Sequence, residues 1–118
     1  MRKSLVFGVL VVALSAIPAQ AGGSRKEAQL QVQFGIDVAQ KGLWTEARYR
    51  WEKAIELDPT YAAAYNDLAV AYEHAGLFDK ARQAYTKALE IEPNNVSIKQ
   101  NYDYFKELND RASRRTTR

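Results

Sequence analysis

The sequence predicts an all-α fold, a helix-turn-helix solenoid of two repeats closed by a C-terminal capping helix, and three observations carry that expectation. A pattern of glycine, aromatic, alanine and proline positions recurs at a spacing of 34 residues, a period that marks stacked helical units. Inside each unit the apolar residues fall at helical intervals between glycine and proline stops. The chain has no cysteine, so neither disulfides nor thiolate-bound metal can hold a small, loop-rich fold in its place.

The unit from Ala62 to Asn95 sets the frame, and the unit from Ala28 to Tyr61 matches it position by position. Gly42 falls opposite Gly76, Trp44 opposite Phe78, Ala47 opposite Ala81, Trp51 opposite Tyr85, Ala54 opposite Ala88 and Pro59 opposite Pro93. Each residue type has a mechanical reason to be there. Gly42 and Gly76 suit the left-handed position after a helix. Pro59 and Pro93 stop the second helix of each unit, because a residue preceding proline is pushed away from helical angles. Ala47, Ala54, Ala81 and Ala88 are small where helices must approach closely, and Trp51 and Tyr85 are large where space between units must be filled. Burying one such ring is worth roughly 1.5–3 kcal/mol or more. Tyr65, Leu68 and Tyr72 form the core face of the second unit. The predicted helices begin near Glu27 and then run over about 46–57, 62–75 and 80–91, with Thr45 and Asp79 as side-chain caps of the second and fourth.

One stretch speaks against a helix when read alone. Leu30, Val32, Phe34, Ile36 and Val38 alternate with polar or small residues, the pattern of a half-buried strand. The repeat overrides that pattern, since the same frame sets this stretch opposite a plainly helical one and a lone strand would have no edge to pair with. Wound as a helix it is apolar on two faces. Leu30, Phe34 and Val38 share the face expected to pack, and Val32 and Ile36 share the other.

The ends divide as clearly. Residues 1–21 have a charged start at Arg2 and Lys3, an apolar run of 13 residues from Leu5 to Ile17, a break at Pro18 and the small-residue pattern Ala19-Gln20-Ala21, which together predict a secretory signal peptide cleaved after Ala21. The run is short of the ~20 apolar residues that span a bilayer, so no stable membrane span is expected after cleavage, and a periplasmic or secreted protein is the result. Residues 22–27 are small and polar and predict a flexible lead-in. After Pro93, Asn95 can cap a helix over 96–111 whose Ile98, Tyr102, Phe105 and Leu108 form one apolar stripe. Residues 112–118 contain three arginines and predict a disordered basic tail.

These residues resemble the tetratricopeptide repeat (TPR) family, whose signature Tyr65, Leu68, Tyr72, Gly76, Phe78, Ala81, Tyr85, Ala88 and Pro93 fit, over the 68 residues of both units. The resemblance implies a non-catalytic interaction module in which the first helix of each unit lines a concave groove for a protein or peptide partner. On that basis Val32, Ile36, Asn66, Val70 and His74 are the candidate groove residues. Chaperone-binding members of the family clamp a terminal carboxylate with polar and basic side chains. Here Val32 and Ile36 are apolar where the clamp needs polar groups, and Asp67 has the wrong charge. The alternative is a structural subunit, in which Val32 and Ile36 are covered by the N-terminal lead-in or by a second copy of the chain in a homo-oligomer or larger envelope complex.

Other functions lack their chemistry. Without the signal, the chain carries 15 basic and 14 acidic side chains, a net charge of about +1, which is not the strongly basic face that nucleic-acid binding needs. His74 is the single histidine. Its neighbour Glu73 projects about 100° away around a helix, so no acid–base pair forms. No phosphate loop, serine elbow or metal-ligand spacing occurs, and neither catalysis nor a cofactor is expected.

Overall fold

The structure, a computed structural model, describes residues 21–117. Five helices follow one another: α1 (Ala21–Gln40), α2 (Trp44–Leu57), α3 (Ala62–His74), α4 (Phe78–Ile91) and α5 (Val96–Thr116). α1 pairs with α2 and α3 with α4, α3 also rests on α1 and α2, and α5 closes over α4 and α3. This is an all-α helical-repeat solenoid, with no strand among the described residues. The expected signal peptide lies, but for Ala21, outside the described residues.

The punctuation works as the residue types require. Gly42 and Gly76 adopt φ of 80° and 73°, which only glycine takes without strain. In each case the next amide reaches back to a carbonyl five residues earlier, Leu43 to Val38 at 3.0 Å and Leu77 to Tyr72 at 2.8 Å, the pattern of a Schellman cap. Two helix starts differ from expectation. α2 and α4 begin at Trp44 and Phe78, and neither has a side-chain cap. The turn that ends one helix leaves Leu43 and Leu77 to begin the next with their own carbonyls, which accept from Ala47 and Ala81 at 3.0 Å. Thr45 and Asp79 thus sit inside the first turn. Asn95 does cap α5, its side chain accepting from the Ile98 amide at 3.1 Å.

Small residues let the helices touch. Ala47, Ala54, Ala81 and Ala88 are all fully buried. Trp51 and Tyr85 fill the gaps beside them, with the Tyr85 ring stacked on Tyr102 at 5.5 Å and tilted against Phe105 at 5.6 Å, both from α5. A close approach occurs at Gly35, in mid-α1, where an added Cβ would stand 2.4 Å from Trp51 Nε1. That nitrogen donates to the Val32 carbonyl at 3.2 Å. In the second unit the opposite residues are Ala69 and Tyr85, and the smaller ring leaves room for the extra methyl.

The structure corrects the assignment of faces on α1. Val32 is buried, only 6% exposed, within the cluster around Trp51, whereas Leu30 is 64% and Phe34 44% exposed. Val38 is buried as expected. The reason lies in the repeat. Leu30 and Phe34 fall opposite Ala64 and Leu68, which are buried because they face the preceding helical pair, and no described helix stands on that side of α1. Phe34 is instead covered in part by the Arg50 guanidinium, 4.1 Å from its ring centre.

Both ends are more helical than expected. α1 already includes residues 22–27, the expected lead-in. Arg25 anchors this turn, because its guanidinium binds Asp58 in an ion pair, donates to the Thr60 carbonyl at 3.2 Å and lies 4.7 Å from the Tyr61 ring centre. α5 runs to Thr116, through most of the expected disordered tail. Nothing between Ala112 and Thr116 breaks a helix, Arg111 pairs with Glu107 one turn back, and Arg114 and Arg115 suit the negative end of the helix dipole.

Candidate partner-binding groove

Two of the five candidate residues meet in one concavity. Ile36 from α1 and Val70 from α3 line an open groove of about 300 Å³ together with Ala39, Gln40, Trp44, Trp51 and Asp67. They meet because α1 and α3 are the first helices of successive units and lie side by side, while α2 supplies the two indoles. Asn66 borders the groove through Asp67, donating to its Oδ1 at 3.5 Å, and accepts from Asn101 of α5 at 3.1 Å. His74 stands at the rim, stacked on Trp44 with ring centres 4.2 Å apart. Val32 is not part of this surface, since it is buried beneath it. The lead-in does not cover Ile36 either, because Arg25 holds that segment against the turn between α2 and α3.

Sequence reasoning missed the groove's own chemistry. Trp44 carried only a repeat position and Asp67 only an unsuitable charge, yet Trp44 forms the wall that His74 leans on and Asp67 is the single charged residue lining the groove. Burial pushes the Asp67 carboxyl up to about 6, and the one opposing influence is the weak Asn66 contact. The sign of this acid was legible from the sequence, but its burial depends on α1 standing over α3.

Two other polar groups are engaged in structure. Tyr85 donates its hydroxyl to Glu73, and burial followed by that bond pushes the phenol well above its ordinary range. Asp58 is held below the usual carboxylate range, first by Arg25 and then by Thr60. A second concavity of about 260 Å³ lies at the other end, lined by Glu73, Phe78, Phe105, Leu108, Asn109 and Ala112. Among the described residues, no group of three or more histidine, cysteine or acidic side chains could hold a metal ion, and no described helix is long and apolar enough to cross a membrane. What the groove offers is apolar contact, an aromatic wall and one carboxylate acceptor, the means to bind.

Residues 62–95 match the family model described as tetratricopeptide repeat, and residues 38–76 match a model described as TPR repeat. No curated protein matches the chain. The matched residues span Gly42 to Pro93, with both left-handed glycines, both proline stops and the alanine contacts that close each helical pair. Residues 38–95 of the chain are tetratricopeptide repeats.

Proposed function

We propose that this is an exported adaptor or scaffold that binds a protein or peptide partner in the groove between α1 and α3 and catalyses nothing. One observation carries the reading. Ile36, Trp44 and Val70 come from three helices to make an apolar concavity beside a single carboxylate, the form that partner sites take when a few polar groups are set in apolar surroundings. The repeats themselves favour a protein partner, as the family is an interaction fold. Export rests on the character of residues 1–21, and intact mass of the protein from its native cell tests it, with a chain beginning at Gly22 as the expected product. Affinity capture from the cell envelope with residues 22–118 as bait tests the binding. A partner retained by the wild type and lost with Val70→Glu supports the groove. A partner retained equally by both places the working surface elsewhere.

A separate observation favours a second reading, that of an assembly subunit. Leu30, Phe34 and Tyr49 leave an apolar, exposed end on the first unit, and exposed apolar patches mark association surfaces when they are contiguous. Sedimentation over a range of concentrations separates the readings. A mass that rises with concentration and falls back with Phe34→Ser supports the assembly subunit.

A further inference from the structure

An acid in an apolar groove calls for a physical reason, and the fold does not supply one. Asp67 falls opposite Gln33 in the first unit and Asn101 in α5, so neutral residues serve at the equivalent places and the repeat has no need of a charge there. Several acids elsewhere on the helices are matched by bases, as in Glu46 with Arg50, Glu52 with Arg48 and Glu107 with Arg111, and Glu73 is matched by the Tyr85 hydroxyl. Among the described residues no lysine or arginine forms an ion pair with Asp67, and its one side-chain partner, Asn66 Nδ2, stands 3.5 Å away, the outer edge of a hydrogen bond. The other residues around it in the groove, Ile36, Ala39, Gln40, Trp44, Trp51 and Val70, are uncharged and, Gln40 apart, apolar or aromatic.

We propose that the groove seats a lysine or arginine side chain of the partner, its aliphatic stem lying on Ile36, Val70 and Trp44 and its cation meeting the Asp67 carboxylate. The proposal rests on the groove being the partner-binding surface. Charge complementarity selects this occupant. Long basic side chains bury their methylenes along apolar surface while the charged head reaches a polar partner, and an indole beside the path adds attraction for a cation. The open volume of about 300 Å³ is of the size a single long side chain and its flanking backbone need. An acidic or terminal-carboxylate peptide meets repulsion at the same point.

The test uses amidated, acetylated pentapeptides of the form Ala-Leu-X-Leu-Ala, with lysine, arginine, norleucine or glutamate at the centre, titrated into the protein and followed by amide and indole NMR shifts. Lysine and arginine probes are expected to bind the wild type roughly ten- to a hundredfold more tightly than norleucine, the scale of one charge-assisted hydrogen bond, and to shift the Trp44 indole and the amides around Asp67. In Asp67→Asn, which keeps the shape and removes the charge, the preference should disappear while norleucine binding stays. A wild type that binds norleucine as well as lysine overturns the cation site and leaves the groove standing. A wild type whose groove signals respond to no probe overturns both. Loss of a homo-oligomer in Asp67→Asn refutes a separate partner and makes a basic side chain of a second copy the occupant.

Discussion

Replacing Asp67 by asparagine should make the protein more stable at neutral pH, and the size of the gain follows from where the carboxyl sits. Burial raises its pKa from the ordinary 3.8 to about 6, so the folded state holds the proton more tightly than the unfolded chain. The sign is the opposite of the usual one for an acid. The stabilising contribution of protonated Asp67 is complete below pH 3.8 and is lost as pH rises through 6. At 1.36 kcal/mol per decade, the separation of those two values sets an upper bound of roughly 3 kcal/mol on what the ionised group costs at pH 7. The groove is open and part of the carboxyl meets water, which brings the expected gain for Asp67→Asn down to about 1–2 kcal/mol. Urea unfolding at pH 4, 5, 6 and 7 measures it as a higher midpoint with an unchanged slope. The difference between variant and wild type should be greatest at pH 7 and close to nothing at pH 4. A variant less stable than wild type at pH 7, or a difference that does not change with pH, would show that the carboxyl is solvated and that the groove imposes no strain on it.

Other outcomes follow from the packing. Gly35→Ala should destabilise by about 1–3 kcal/mol through overpacking, because the new methyl meets the Trp51 indole at 2.4 Å, and a thermal melt equal to wild type would mean that α1 and α2 part more easily than the structure indicates. Val32→Asp should unfold the domain by burying an unpaired charge, while Phe34→Asp, on the exposed end, should stay within about 1 kcal/mol of wild type by circular dichroism melting; the reverse order would restore the face assignment that the structure overturns. Arg25→Ala should raise the Asp58 carboxyl toward its ordinary range. Since Asp58 is held low, its contribution is present at neutral pH and lost as pH falls through its folded value, so the gap between Arg25→Ala and wild type should narrow in acid, and a gap that stays constant down to pH 2 would remove the ion pair as its source.

Much of the fold was legible because repeat residues are defined by their neighbours on both sides. Gly42, Gly76, Pro59 and Pro93 act locally, through backbone angles, and their effects could be read without knowing what packs where. The faces of α1 could not be read that way. Helical spacing groups Leu30, Phe34 and Val38 together, but only the stacking order decides that Leu30 and Phe34 look outward at the first unit while Ala64 and Leu68 look inward at the second. The starts of α2 and α4 were misplaced for a related reason. A hydroxyl or carboxyl at Thr45 or Asp79 is a good cap in isolation, yet the glycine turn hands the chain straight into the next helix and leaves no residue free to play that part. Gly35 did carry a signal, since the frame sets it opposite Ala69 just as it sets Trp51 opposite Tyr85. A smaller residue against a larger ring is a compensation readable from the alignment of the two units. Of the groove, Ile36 and Val70 could be found from the repeat, whereas Asp67 and Trp44 acquire their roles only when α1, α2 and α3 close around them.

Both tryptophans of the chain, Trp44 and Trp51, belong to α2, so the second unit is optically silent in the indole band. Emission excited at the red edge therefore watches the first pair of helices and its junction with α3, while far-ultraviolet dichroism averages over every helix. In a linear array each unit is held by its own packing and by its neighbours alone, and opening can begin at an end before the whole gives way. Superimposable melts by the two probes would mean that the array unfolds as one body. An indole transition that runs ahead of the dichroism would show α1 and α2 peeling from a second unit that α5 still holds closed.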